Sequence, residues 1–129
     1  MKSVDTNVLA RYVIGDDPAQ AALATEILRQ PCFISHTVLL ETAWLLASRY
    51  RVARADLADT LLDLVHLPRV SVSDLALVEW AIARFAAGGD FADMLHIAGS
   101  GGADAFVSLE KRLADRAGAQ SPVPVEQLA

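Results

Sequence analysis

The sequence predicts a three-layer α/β/α fold, a short-stranded parallel sheet flanked by helices. Three observations carry that expectation. Short apolar strands alternate with helical stretches, which builds a parallel sheet covered on both faces. At 129 residues the chain has the length of one domain, enough for a layered core without disulfides. Hydrophobic residues make up 53% and charged residues 21%, a balance that buries enough apolar surface to exclude bulk disorder.

Each element has a local reason. Lys2-Ser3-Val4-Asp5 is a short strand with an acid at its end. Val8 to Ile14 reads as a short helix, stopped by Gly15-Asp16-Asp17-Pro18. From Pro18 to Gln30, Ala19, Ala22, Leu23, Ile27 and Leu28 recur near helical spacing. Asp17 is placed as the N-cap there, with Pro18 at the first helical position. Cys32-Phe33-Ile34 is a minimal buried strand. Thr37 to Tyr50 forms the longest helix, with Leu40, Ala43, Trp44 and Ala47 on one stripe. Ala55 to His66 follows, with Leu57, Leu61, Leu62 and Val65 inward and Asp56, Asp59 and Asp63 outward.

Val70-Ser71-Val72 is a third strand, after which Ser73 or Asp74 caps a helix running to about Ala87. Gly88-Gly89 breaks it, and a helix starting near Asp90 continues through Ala98. A Gly99-Ser100-Gly101-Gly102 loop leads to the strand Ala105-Phe106-Val107, then a charged helix from Glu110 to Ala117. Val123-Pro124-Val125 is expected as an edge strand, where proline is tolerated. No repeat or linker interrupts the chain, so residues 1–129 read as one domain.

Bulk properties exclude several functions. No apolar run approaches the roughly 18 residues a membrane span needs. Asp5 falls where a signal peptide needs its apolar segment, which predicts a chain that is not exported. A single cysteine, Cys32, fits a reducing cytoplasm. The net charge of −5 argues against nucleic-acid binding driven by charge alone. Arg49, Arg51 and Arg54 form a local basic cluster, readable as a solvated helix end or as a phosphate contact, with Arg11 elsewhere.

Acidic residues at element boundaries are the chemical signal. Ligands of open parallel sheets gather at the carboxyl ends of the strands. Asp5 sits at such an end, and Glu110 follows the 105–107 strand. Glu41 and Asp93 lie near helix starts, which face the same edge in a strand–helix unit. Taken singly, Asp5, Asp90, Asp93 and Glu110 are also what a helix start wants, through capping and dipole effects. Glu41 fits capping worst, because Val38 stands where its capping partner would be. Its neighbours Leu39, Leu40 and Ala43 imply a buried or half-buried carboxylate, which needs a counter-charge or a proton.

Other candidates are weaker. His36, His66 and His96 share no metal-ligand spacing, and no Ser-His-Asp or Cys-His arrangement can be assembled. The 99–102 glycine loop follows a helix rather than a strand and so lacks the phosphate-loop context. Trp44 and Trp80 lie on apolar faces and are expected in the core.

Four stretches, in order, resemble the signatures of PIN-domain proteins: Asp5-Thr6-Asn7-Val8-Leu9, Leu40 to Leu46, Asp90 to His96, and Phe106 to Leu113. The nearest likeness is to VapC toxins of bacterial toxin–antitoxin pairs. That resemblance implies a PIN-like fold and a metal-dependent endoribonuclease, held inactive by a VapB-type antitoxin and assembled as a homodimer. Carried across by motif position, it makes Asp5, Glu41 and Asp93 the principal metal-site acids and Asp90 an accessory acid. Thr6 and Asn7 become orienting residues, and Ser108 stands where Thr or Ser is usual. Glu110 departs from the family's usual Asp, and its extra methylene puts a second metal position in doubt.

Mg²⁺ or Mn²⁺ is the implied cofactor, since both prefer oxygen ligands and water. The expected reaction is attack of a metal-activated water on an RNA phosphodiester. Arg11, Arg49 and Arg51 are the candidates for guiding the RNA backbone. A DNA-directed nuclease on the same fold and a catalytically silent PIN scaffold that binds a protein partner are the competing readings.

Overall fold

The structure is a computed structural model and describes residues 1–128. The chain forms two compact units, Met1–Ser73 and the stretch from Asp74 onward.

In the first unit, β1 (Lys2–Ser3), β2 (Cys32–Phe33) and β3 (Val70–Ser71) pair in parallel in the order β1-β2-β3. Lys2 faces Cys32 and Ser3 faces Phe33; Cys32 faces Val70 and Phe33 faces Ser71. Backbone bonds from Val4 N to Phe33 O (3.1 Å) and Ile34 N to Ser71 O (3.0 Å) carry the ladder past the strand ends. Each parallel step needs a crossover, and helices supply it. α1 (Thr6–Ile14) and α2 (Pro18–Leu28) join β1 to β2; α3 (His36–Ser48) and α4 (Arg54–Val65) join β2 to β3.

Local chemistry sets the helix ends. Gly15 closes α1 at φ 67°, where its backbone N–H donates to Arg11 O. Asp17 caps α2 through Gln20 N at 3.0 Å, with Pro18 at the first position, as the sequence predicts. α3 starts one residue earlier than predicted because the Ser35 hydroxyl accepts from Val38 N at 3.2 Å. Its buried face is Leu39, Thr42, Ala43 and Leu46, so of the predicted Leu40–Ala43–Trp44–Ala47 stripe only Ala43 is buried and the face is rotated. Trp44, expected in the core, is 67% exposed. Buried Thr42 satisfies its hydroxyl on Val38 O at 2.7 Å. Leu9, Ile34, Leu39, Leu46, Leu61 and Leu64 fill the interior, and on α4 Asp56, Asp59 and Asp63 face out as predicted.

The second unit holds α5 (Leu75–Ala86), α6 (Phe91–Ala98), β4 (Phe106–Ser108), α7 (Leu113–Ala117) and β5 (Val125–Gln127). β4 and β5 are parallel, with Val107 facing Glu126. The last strand therefore lies two residues beyond the predicted 123–125. Val123 is buried just ahead of it, and Pro124 contributes its carbonyl to Phe106 N at 2.8 Å. Asp74 occupies the start of α5 in a left-handed conformation but makes no side-chain capping bond. Phe85 and Phe91 stack at an angle across the α5–α6 turn, ring centroids 5.6 Å apart. Arg84 fastens α5 to α7 by donating from Nε to Arg116 O at 2.8 Å.

Short parallel strands separated by helices are the α/β class the sequence predicts. Among the described residues, no helix is long and apolar enough to cross a membrane.

Candidate functional site

In the first unit, the chain leaves β1 and turns directly into α1. Asp5 is the N-cap residue, and its Oδ1 accepts from Thr6 N at 2.8 Å. The helix therefore begins at Thr6, two residues before the predicted start. Asp5 caps a helix, yet its side chain stays exposed. Thr6 is buried, and its hydroxyl donates to Glu41 Oε1 on α3. Thr6 thus contacts two predicted acids, Asp5 through its backbone and Glu41 through its side chain.

Glu41 requires a correction. It is exposed, not buried, because α3 turns Leu39, Thr42 and Ala43 inward instead. Its partner is a hydroxyl rather than a desolvated pocket. Asn7 is exposed and borders a groove of about 430 Å³ between α1 and α2, shared with Val8, Arg11, Leu23 and Ile27.

The basic candidates of this unit are unequal. Arg11 is engaged with Asp16 at 3.0 Å. Arg49 is the C-cap residue of α3, where positive charge suits the helix end. Arg51 is exposed and holds φ at 54°.

In the second unit, a cavity of about 210 Å³ is lined by Gly88, Asp90, Asp93, Glu110, Arg112, Leu113 and Arg116. Three predicted acids therefore meet there. Asp90 is the N-cap of α6, and its Oδ1 accepts from Asp93 N at 2.9 Å. Glu110 does not open a helix as predicted, since α7 starts only at Leu113. Glu110 instead sits in a turn closed by Ser108, whose hydroxyl accepts from Glu110 N at 3.0 Å.

Electrostatics mark Asp93. Burial pushes its carboxyl pKa up, the charges of Asp90 and Glu110 push it further, and His96 opposes them. A divalent cation would relieve that repulsion, and the carboxylate oxygens present are the donors that Mg²⁺ or Mn²⁺ accepts. Within each unit, no three His, Cys, Asp or Glu side chains among the described residues close into a ready metal cage.

Gly88, Arg112 and Arg116 were not among the site residues expected from the sequence. One signal was available: Arg112 and Arg116 stand four apart beside Glu110, a spacing that puts two side chains on one helix face.

No curated protein matches the chain. Residues 2–119 match the PIN domain, which is generally a metal-dependent nuclease fold. With nearly the whole chain covered, the protein belongs to the PIN domain family.

Proposed function

We propose that the chain is a Mg²⁺-dependent endoribonuclease, with Mn²⁺ as an alternative ion, and the VapC-like toxin of a type II toxin–antitoxin pair. It works as one domain, in a homodimer, in the cytoplasm, under control of a VapB-type antitoxin. The observation that carries this reading is the cavity lined by Asp90, Asp93 and Glu110 in a PIN-family chain, where burial and the two neighbouring carboxylates raise the pKa of Asp93.

In this reading Asp5, Glu41 and Asp93 are the principal ligands of the cation, and Asp90 and Glu110 are accessory acids. When bound, the cation supplies Lewis-acid activation of water and stabilises developing charge on the phosphate. The chain's own residues prepare that chemistry. Thr6 fixes one oxygen of Glu41, so the carboxylate need not be ordered when the ion arrives. Asp90 fixes the backbone under Asp93, and Ser108 fixes the backbone under Glu110. Each anchor reduces the entropy lost on ligation.

The test is cleavage of single-stranded RNA, structured RNA and DNA by the purified chain, with Mg²⁺ or EDTA, beside Asp5→Asn. Mg²⁺-dependent cutting of RNA, lost in EDTA and in the variant, is expected. Cutting that persists in EDTA sinks the metal mechanism, and cutting of DNA alone sinks the ribonuclease assignment. Absence of cutting with any metal points to a silent binding scaffold.

A further inference from the structure

We propose that Arg112 and Arg116 form the phosphate-gripping side of the acidic cavity, holding an RNA backbone phosphate beside the carboxylates that take the cation. The inference rests on the nuclease reading and assigns the substrate contacts of the same site.

Placement is the first argument. Both arginines line the cavity that Asp90, Asp93 and Glu110 line. Arg112 is the N-cap residue of α7 and Arg116 lies four positions on, within the helix, so one short segment brings both to the cavity. Among the described residues neither forms an ion pair, although three carboxylates border the same space. Both keep their donors for something else.

Accommodation is the second. Gly88 holds φ at +119°, and a Cβ there would lie 2.5 Å from Arg116 Nη1. The α5–α6 turn thus leaves out a side chain where the guanidinium lies. The backbone of Arg116 is itself pinned, since its carbonyl accepts from Arg84 Nε. A pinned backbone and a reserved space keep this cation at the cavity edge.

Chemistry is the third. A rim of carboxylates repels a polyanion, so an acidic chain that cuts RNA needs local positive charge next to its acids. The guanidinium fork matches two phosphate oxygens at once, which ammonium does not. Arg11, by contrast, already spends a donor on Asp16.

The experiment compares the full chain with Arg116→Ala, Arg116→Lys and Arg112→Ala/Arg116→Ala, with Arg29→Ala as a control that does not line the cavity. Steady-state cleavage of a fluorescein-labelled single-stranded RNA in Mg²⁺ gives KM and kcat. Anisotropy of the same RNA in EDTA, over a salt series, gives binding without turnover. Mn²⁺ titration followed by electron paramagnetic resonance reports the acids alone.

Arg116→Ala should raise KM about tenfold and the double variant up to ~100-fold, with Lys restoring part. The salt slope should fall by about 0.7 for each contact removed. Mn²⁺ affinity should stay at the wild-type level. A double variant with wild-type KM overturns the inference while leaving the nuclease intact, and so does one whose defect is loss of Mn²⁺ binding. If the wild-type chain cuts no RNA, the functional reading fails and this inference falls with it.

Discussion

The hydroxyl of Thr6 donates to the carboxylate of Glu41, tying the first turn of α1 to α3 across 35 positions of sequence. Glu41 is exposed, so burial does not hold it; this bond does. Thr6→Val keeps the shape of a buried side chain and deletes only the donor. Mn²⁺ affinity, read by isothermal titration, should fall roughly 10–100-fold, while Thr6→Ser retains it. A valine variant with wild-type Mn²⁺ affinity removes Thr6 from the site.

Asp93 gives the pH prediction. Its pKa lies above the ordinary 3.8, raised first by burial and then by Asp90 and Glu110. The folded chain therefore holds this proton more tightly than the unfolded chain. Stability falls as pH rises from 3.8 through the folded pKa, and the penalty is complete above it. Asp93→Asn removes that penalty, so in EDTA it should melt a few degrees above wild type at neutral pH. The gap should close as pH is lowered toward about 4. Under the proposed metal role of Asp93, saturating Mg²⁺ should reverse the order. A variant that melts lower than wild type in EDTA at neutral pH contradicts the repulsion argument.

The rotated face of α3 predicts unequal neighbours. Leu39 is fully buried, whereas Leu40 is only half-buried. Leu39→Ala should cost about 2–5 kcal/mol in urea denaturation and Leu40→Ala clearly less. Equal losses would restore the stripe that includes Leu40 and Trp44.

The two tryptophans should separate in solution. Trp44 is 67% exposed, and Trp80 buries an indole N–H that has no hydrogen-bond partner among the described residues. Trp80→Phe removes an unsatisfied donor, so its cost should stay under about 1 kcal/mol despite the smaller ring. In that variant the remaining emission comes from Trp44 and should be red-shifted and readily quenched by iodide. Protected emission would place Trp44 in a contact.

Legibility followed the strength of local chemistry. Asp17-Pro18 announced α2 because a cap and a pre-set φ act within a few residues. The outward acids of α4 were readable because charge and apolar residues alternate cleanly there. α3 was not, because Leu39, Leu40, Ala43, Trp44, Leu45, Leu46 and Ala47 offer apolar residues on nearly every side. With no polar face to break the tie, packing chose the face, and Trp44 was left out. Glu110 misled for a different reason. A serine two residues earlier can start a helix or close a turn, and here it closes a turn. The acids of the site were visible one by one, whereas the Thr6–Glu41 bond and the shared cavity of Asp90, Asp93 and Glu110 depend on contacts that spacing alone does not encode.

Asp90 both starts α6 and borders the acidic cavity. Selection sees those two duties together. Under the proposed function, replacing Asp93 silences the protein and keeps the helix start, while replacing Asp90 also removes the cap of α6. Inactive descendants should therefore retain Asp90 as a relic after Asp93 has drifted, and the order of loss would record which carboxylate was structural.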